Sequence, residues 1–380
     1  MQKLKIGIIF GGPSSEHNVS IKSAISIIQN ISHIKYIIIP IYLDVNGIWY
    51  YINLIDQLSN ITVLAIEELI NDSINQIRSY KSKFNKNIQN IDYNLMHQLL
   101  DVAFPIIHGK PGENGVLQGF FELLDIPYIG SSVLSSSITM DKDITKVILR
   151  DNGITFVPYM VIRKYEYINQ RKKDAFLKFV KNKFILPMFI KPATYGSSIG
   201  ISKIENYSNI EKGIENAFRY DNKIIIEQGI NAKEIEVSVL ENINNYEEPI
   251  ISLPGQIVVN DNFYSYKTKY LIKNGARLQV PAVLNNKLTE EIRRKAGQIF
   301  TILDCNCLAR VDFFLEYGSH NIYFNEINTL PGFTEISIYP KLLDLYGIKY
   351  DDLLERLISL SLKKYKDEKV KHNTAISLLC

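Results

Sequence analysis

Residues 5–10, Lys-Ile-Gly-Ile-Ile-Phe, form a short continuous apolar run that stops at Gly11-Gly12-Pro13-Ser14-Ser15. The next segment places apolar residues at Val19, Ile21, Ala24, Ile25, Ile27 and Ile28. A short apolar run bounded by glycine and proline predicts a buried strand, and the spacing after it is helical. Strand, glycine turn and helix open an α/β unit, which restricts the fold to a sheet covered by helices. Apolar runs at 36–43 and 100–107 predict further strands, and 115–124 predicts the helix that follows. A first domain over 1–138 with a mostly parallel sheet results. The 380 residues exceed one ordinary core, so two or three domains are expected.

From Met140 the pattern changes. Residues 141–152 predict a helix, and 158–162, 188–191 and 223–227 predict strands. Residues 232–259 alternate apolar and polar, as half-buried antiparallel strands do. Residues 260–279 are polar and aromatic with little periodicity, which suits a functional loop. A helix at 289–303 precedes a strand pair, 307–316 and 321–326, joined by Gly318-Ser319-His320. A last helix is expected over 350–363 and a loosely held tail over 366–380. Residues 71–95 show weak apolar periodicity and read as a variable helix or loop. No internal repeat is present.

Composition excludes several classes. The 43 basic and 40 acidic residues nearly balance, which gives no reason to expect nucleic acid or a membrane surface as partner. No apolar run approaches the ~18 residues of a membrane span. Cys305, Cys307 and Cys380 have no metal-ligand spacing, and a reducing cytoplasm is the expected setting.

Three constellations carry chemistry. Side chains alternate faces along a strand, so Arg310 shares a face with Asp312, and Glu326 with Asn328. If the two strands are neighbours, Asp312, Glu326 and Asn328 converge as hard oxygen ligands suited to Mg²⁺ shared with phosphates. Arg310 beside them would clamp a developing anion, and Pro331-Gly332 would expose backbone N–H groups to one. The second constellation is Lys191 followed by Pro-Ala-Thr-Tyr-Gly-Ser-Ser-Ile-Gly, a strand end running into a glycine- and serine-rich phosphate cradle. It lacks the order of a Walker A loop. The third is Gly11-Gly12-Pro13-Ser14-Ser15-Glu16-His17, paired with a second loop, His108-Gly109-Lys110-Pro111-Gly112-Glu113-Asn114-Gly115. Ligands of open α/β sheets bind outside the carboxyl ends of strands, where both loops lie. Glu16 would serve either as an N-terminal acid of the helix or as a ligand for a substrate ammonium. His108, taken alone, reads as structural more readily than catalytic.

Together these stretches resemble the D-alanine–D-alanine ligase family of the ATP-grasp superfamily. The motifs, in family order, are GGPSSEHNVS, HGKPGENG, MDK at 140–142, KPATYGSSIG, EQGINAKEIEVSVL, YSYKTKY at 264–270, ARVDFF and NEINTLPGF. The resemblance implies an α/β protein, α+β in its ATP-grasp part, with three domains: 1–138, 139–229 and 230–365, then the tail. It implies ATP and two Mg²⁺ (or Mn²⁺) ions held by Asp312, Glu326 and Asn328. Lys142, Lys191 and Ser198 would hold phosphates, with Lys269 on the terminal one, and Glu227 and Glu234 would bracket adenine and ribose. Glu16 would bind the ammonium of a first D-alanine, with Ser197 and Tyr270 nearby and His108 close. Arg310 and the Gly332 N–H would form an oxyanion site, and Ser337 would receive the carboxylate of a second D-alanine. Residues 260–279 would be the lid, and a homodimer is expected. The implied activity is ADP-forming synthesis of D-alanyl-D-alanine for peptidoglycan. Relatives that make D-alanyl-D-lactate or D-alanyl-D-serine, or a nucleotide-binding relative without catalysis, are the alternatives.

Overall fold

The computed structural model describes residues 3–53, 63–79, 88–244, 247–259 and 276–377. Lys269, Tyr270 and most of the expected lid lie outside the described residues.

The first sheet contains β1 (Leu4–Gly11), β2 (Tyr36–Leu43), β3 (Trp49–Ile52), β4 (Ile88–Asn90) and β5 (Val102–Pro105), in the order β4-β3-β2-β1-β5. β1 runs parallel to both β2 and β5, while β3 and β4 extend the sheet antiparallel. The parallel centre follows from the continuous apolar runs, which bury both faces under helices. Gly11 adopts φ +93°, and a Cβ there would lie 2.3 Å from the Leu43 carbonyl oxygen. Only glycine makes that turn beside β2. Ser20 of the helix His17–Asn30 then ties the turn down, accepting from Gly11 N (2.8 Å) and donating to the Ile106 carbonyl (2.6 Å).

Of the two readings open for residues 71–95, helix or loop, the first part is helix. A helix spans Val63–Arg78, with Ile66, Ile70, Ile74 and Ile77 buried on one face, and β4 and a helix over Tyr93–Leu99 follow. The helical spacing straddles the start of the segment, so a window opened at residue 71 cuts the pattern in half.

The second sheet holds β6 (Tyr159–Arg163), β7 (Met188–Pro192), β8 (Ser202–Ile204) and β9 (Lys223–Gln228), antiparallel in the order β6-β9-β7-β8. The helix Lys142–Asp151 precedes it. Asp141 caps that helix, accepting from Asp143 N and Ile144 N, and its carboxylate also pairs with Lys223 at 2.6 Å.

The third sheet comprises β10 (Ala232–Leu240), β11 (Ile250–Ile251), β12 (Gly255–Val259), β13 (Ala276–Gln279), β14 (Leu308–Glu316) and β15 (Ile322–Asn328). Its path is β13-β12-β10-β14-β15, with β11 also on β10. β13 takes residues 276–279 out of the stretch expected to be loop.

The final helix, expected to stop at 363, runs over Tyr350–Ser377 and includes most of the expected tail. Lys369 on its outer part pairs with Asp125, just after the helix Val116–Leu123, at 2.6 Å. The inner part buries Leu353, Leu354, Leu357 and Ile358 in one cluster with Ile6, Phe10 and Phe104 of the first sheet. Leu330, Phe333 and Tyr339 join that cluster, so the two ends of the chain share a core.

Candidate active site

β14 and β15 are neighbours in the register that alternation requires: Asp312 opposes Glu326 and Arg310 opposes Asn328. A register irregularity after Asp312 leaves these pairs intact. Arg310 grips the Asp312 carboxylate through two bonds, Nε at 2.8 Å and Nη2 at 2.6 Å. Asn328 Nδ2 donates to the same carboxylate at 3.1 Å.

β10 adds a residue the sequence reading did not single out. Glu236 opposes Asp312 from the other side and lies 3.2 Å from Arg310 Nε. The signal was present: Glu234, Glu236 and Ser238 alternate along β10, and polar residues at that period share one face. Burial works against the Arg310 guanidinium, but the Asp312 and Glu236 carboxylates outweigh it and hold its pKa well above the ordinary value. Burial, with Glu236 and Glu326 nearby, pushes Asp312 up to about 7 despite Arg310. Such a crowded anionic face is relieved by a cation. Among the described residues no three Asp, Glu, His or Cys side chains form a metal cluster. The donor set is two carboxylates and an amide, which suits a hard ion that completes its shell with phosphate oxygens and water.

The glycine-bearing loops that follow β1 and β5 face this cluster. Glu16 stands at the N-terminus of its helix and makes no side-chain capping bond. It lines a cavity of about 170 Å³ together with His108, Glu113, Lys142, Ser197, Glu236, Arg310, Glu326, Asn328, Gly332 and Ser337. Glu113, quoted only within its motif at the sequence level, accepts from Gly109 N at 2.5 Å. Burial and then the Glu16 carboxylate push it up to about 8. His108 is buried and spans two elements, Nδ1 against the Leu330 carbonyl (3.1 Å) and Nε2 against Ser23 Oγ (3.3 Å). Those contacts hold His108 in the cavity wall. Ser337 Oγ accepts from Thr334 N at 2.9 Å, closing the turn after Gly332.

A second cavity, about 400 Å³, adjoins the first and shares Lys142, Ser197, Glu236, Arg310 and Glu326 with it. Lys191, Ser198, Glu227, Glu234 and Asp312 line it as well. Ser197 and Ser198 sit at φ +52° and +58°, left-handed backbone that non-glycine residues seldom adopt and that marks functional loops. Thr194 anchors the loop by donating to Asp221 at 2.7 Å and accepts from Lys110 of the loop after β5 at 2.7 Å. Lys142 Nζ donates to the Tyr195 carbonyl (2.7 Å) and lies 3.7 Å from Glu326. Lys191 Nζ contacts Glu227 at 2.5 Å. Lys146, a further residue absent from the sequence reading, contacts the other oxygen of Glu227 from one helical turn beyond Lys142. Burial pushes both lysines down, Lys191 to about 8.

Two adjoining cavities, one beside a lysine- and serine-rich loop and one beside a carboxylate pair, thus meet at Arg310 and Glu326. Family comparisons match the same chain. Residues 5–131 match the family described as D-ala D-ala ligase N-terminus, and 148–359 match the D-ala D-ala ligase C-terminus.

The chain belongs to the D-alanine–D-alanine ligase family.

A D-alanine--D-alanine ligase of Caldicellulosiruptor bescii is 44% identical over 371 residues, covering 97% of this chain and 98% of that one. Among solved structures, the VanG D-Ala:D-Ser ligase from Enterococcus faecalis is 32% identical with TM-score 0.78, covering 95% and 100%. The D-alanine--D-alanine ligase from Bacillus anthracis complexed with ATP is 29% identical with TM-score 0.68, covering 96% and 99%. These likenesses carry the ATP-grasp fold expected for the family. The described helices include none long and apolar enough to cross a membrane.

Proposed function

We propose that the protein joins two D-alanine molecules to D-alanyl-D-alanine with cleavage of ATP to ADP and phosphate, supplying a peptidoglycan precursor. The observation that carries this reading is the meeting of the two cavities at Arg310, Glu326 and Lys142. A carboxylate in the smaller cavity can there receive a phosphoryl group from a nucleotide in the larger one. A free carboxylate is a poor acyl donor, and conversion to an acyl phosphate supplies the leaving group that amine attack requires.

The residues divide the work. Lys142, Lys191 and Ser198 hold phosphates, with Lys269 on the terminal one, and Glu227 and Glu234 bracket adenine and ribose. Glu16 pairs with the ammonium of the first D-alanine, with Ser197 and Tyr270 beside it and His108 at the wall. Arg310 and the Gly332 N–H stabilise the tetrahedral oxyanion, and Ser337 receives the carboxylate of the second D-alanine. Asp312, Glu326 and Asn328 would hold two Mg²⁺ or Mn²⁺ ions, which supply charge neutralisation for phosphoryl transfer. The acyl phosphate must be kept from water, a task that falls to residues 260–279 as the lid.

Each of the three sheets supports one of three domains, 1–138, 139–229 and 230–365. A homodimer is supported by Val116 and Leu123, 60% and 87% exposed on one helix, and light scattering tests it. The free, buried Cys305 and Cys307 support a reducing, cytoplasmic setting. The D-serine alternative rests on a structure at lower identity and is not favoured. Product analysis after incubation with ATP, Mg²⁺ and a panel of D- and L-amino acids and D-lactate tests the reading. D-alanyl-D-alanine should dominate; ADP release without it, or a depsipeptide product, overturns it.

A further inference from the structure

Lys146, Glu227 and Lys191 form a row of three ionisable groups beside the nucleotide cavity, closed off from it at the Lys146 end. The Lys146 side chain is 1% exposed, that of Glu227 3% and that of Lys191 11%. Glu227 and Lys191 line the cavity, and Lys146 does not. The far side of the Lys146 ammonium is closed by aromatic rings, Tyr159 at 5.1 Å and Phe156 at 5.9 Å from their centroids. Lys146 therefore cannot touch a nucleotide. Each oxygen of Glu227 faces one ammonium, Oε1 toward Lys146 and Oε2 toward Lys191.

We infer that Lys146 is a positioning residue for nucleotide binding: by neutralising Glu227 from behind, it leaves Lys191 as the surplus cation that an incoming triphosphate engages. The inference rests on the ligase reading for the identity of the nucleotide. Its physical basis is the cost of an unpaired buried charge. With Lys146 absent, Lys191 is the ionic partner left to Glu227 among the described residues, and drawing Lys191 toward phosphate strips a buried carboxylate of its counter-charge. With Lys146 present, Glu227 stays compensated while Lys191 moves. The local chain supports this division. Lys142 and Lys146 occupy successive turns of one helix, so the helix presents one ammonium to the cavity rim and sends the other beneath the sheet. Glu227 lies on β9, flanked by Tyr159 of β6 and Phe189 of β7, which fixes the carboxylate between the two lysines.

The test is a double-mutant cycle on the full chain, with ATP affinity measured by equilibrium binding in the presence of Mg²⁺. K146M is expected to weaken ATP binding by about tenfold or more and to leave the KM for D-alanine within about twofold. In an E227Q background, where the Glu227 carboxylate no longer competes for Lys191, K146M should change ATP affinity by less than about threefold. ATP affinity unchanged in K146M, an equal loss in both backgrounds, or a parallel rise in the KM for D-alanine would each overturn the inference. K146Q keeps a donor to Glu227 without the charge and carries the comparison if K146M does not fold. If neither single variant folds, Lys146 is a scaffold residue and the inference fails. Binding is read without turnover, so a wild-type protein with no D-alanine-dependent ADP release would sink the ligase reading and leave this comparison intact.

Discussion

At the scale of single residues, the site places carboxylates where burial makes them costly. Glu16 and Glu113 face one cavity, and burial together with Glu16 pushes Glu113 up to about 8. The sign of the resulting pH dependence follows. An acid whose pKa is higher folded than unfolded binds more protons in the folded state between the two values. Its contribution is therefore full below the ordinary carboxyl range and is lost as pH rises toward 8. In the ligand-free protein, urea stability should fall between about pH 5 and 8 by on the order of a few kcal/mol, and Glu113→Gln should flatten that slope. An unchanged slope in the variant would assign the dependence to another group. Glu16→Gln keeps the shape and removes the charge that would pair with an ammonium. The loss of one charge-assisted hydrogen bond is about 1.5–3 kcal/mol, roughly ten- to a hundredfold in the KM of the first D-alanine, with ATP affinity unchanged. Equal weakening of both D-alanine sites would return Glu16 to a scaffold role.

At the scale of elements, strands deliver the site and glycine turns allow the approach. β14 and β15 bring four candidate site residues into two opposed pairs, an arrangement that period-two alternation and motif order made legible. Glu236 escaped because its strand was recognised without its neighbour and register; only the pairing of Glu236 with Asp312 shows that the two stand side by side on one face of the sheet. The turn after β1 is equally constrained. Gly11→Ala would set a Cβ 2.3 Å from the Leu43 carbonyl oxygen at φ +93°. We expect a loss of about 2 kcal/mol or more in urea unfolding, because strained backbone and a backbone clash add. An alanine variant within error of wild type would show that the turn can relax.

At the scale of the whole molecule, the two ends of the chain depend on each other. Phe333 is fully buried, with ring contacts to Phe104 (5.8 Å), Tyr339 (5.8 Å) and Tyr350 (6.1 Å). It thus joins the first sheet to the segment just after Gly332 and to the last helix. Phe333→Ala should cost about 3–5 kcal/mol in the transition that reports on the first sheet, not only in the C-terminal part. Detection of a C-terminal transition that shifts alone would show the shared core to be energetically separable. The last helix read as a tail beyond 363 because its outer turns carry polar residues. Their partner, Asp125, is 244 positions away along the chain.

The sequence by itself determined the elements whose signal is local: the strand–glycine–helix opening, the phosphate-cradle composition after Lys191, and the alternation that put Asp312 with Arg310 and Glu326 with Asn328. These follow from backbone period and turn chemistry, which act over a few residues. Tertiary structure alone decided what depends on contacts between distant segments. Glu236 gained its place from sheet pairing, Glu113 its raised pKa from burial beside Glu16, and Lys146 its partner from β9, 81 residues on. Electrostatic energy depends on distance and dielectric in space, so a charged residue shows its type in the sequence and acquires its role when folding fixes its neighbours.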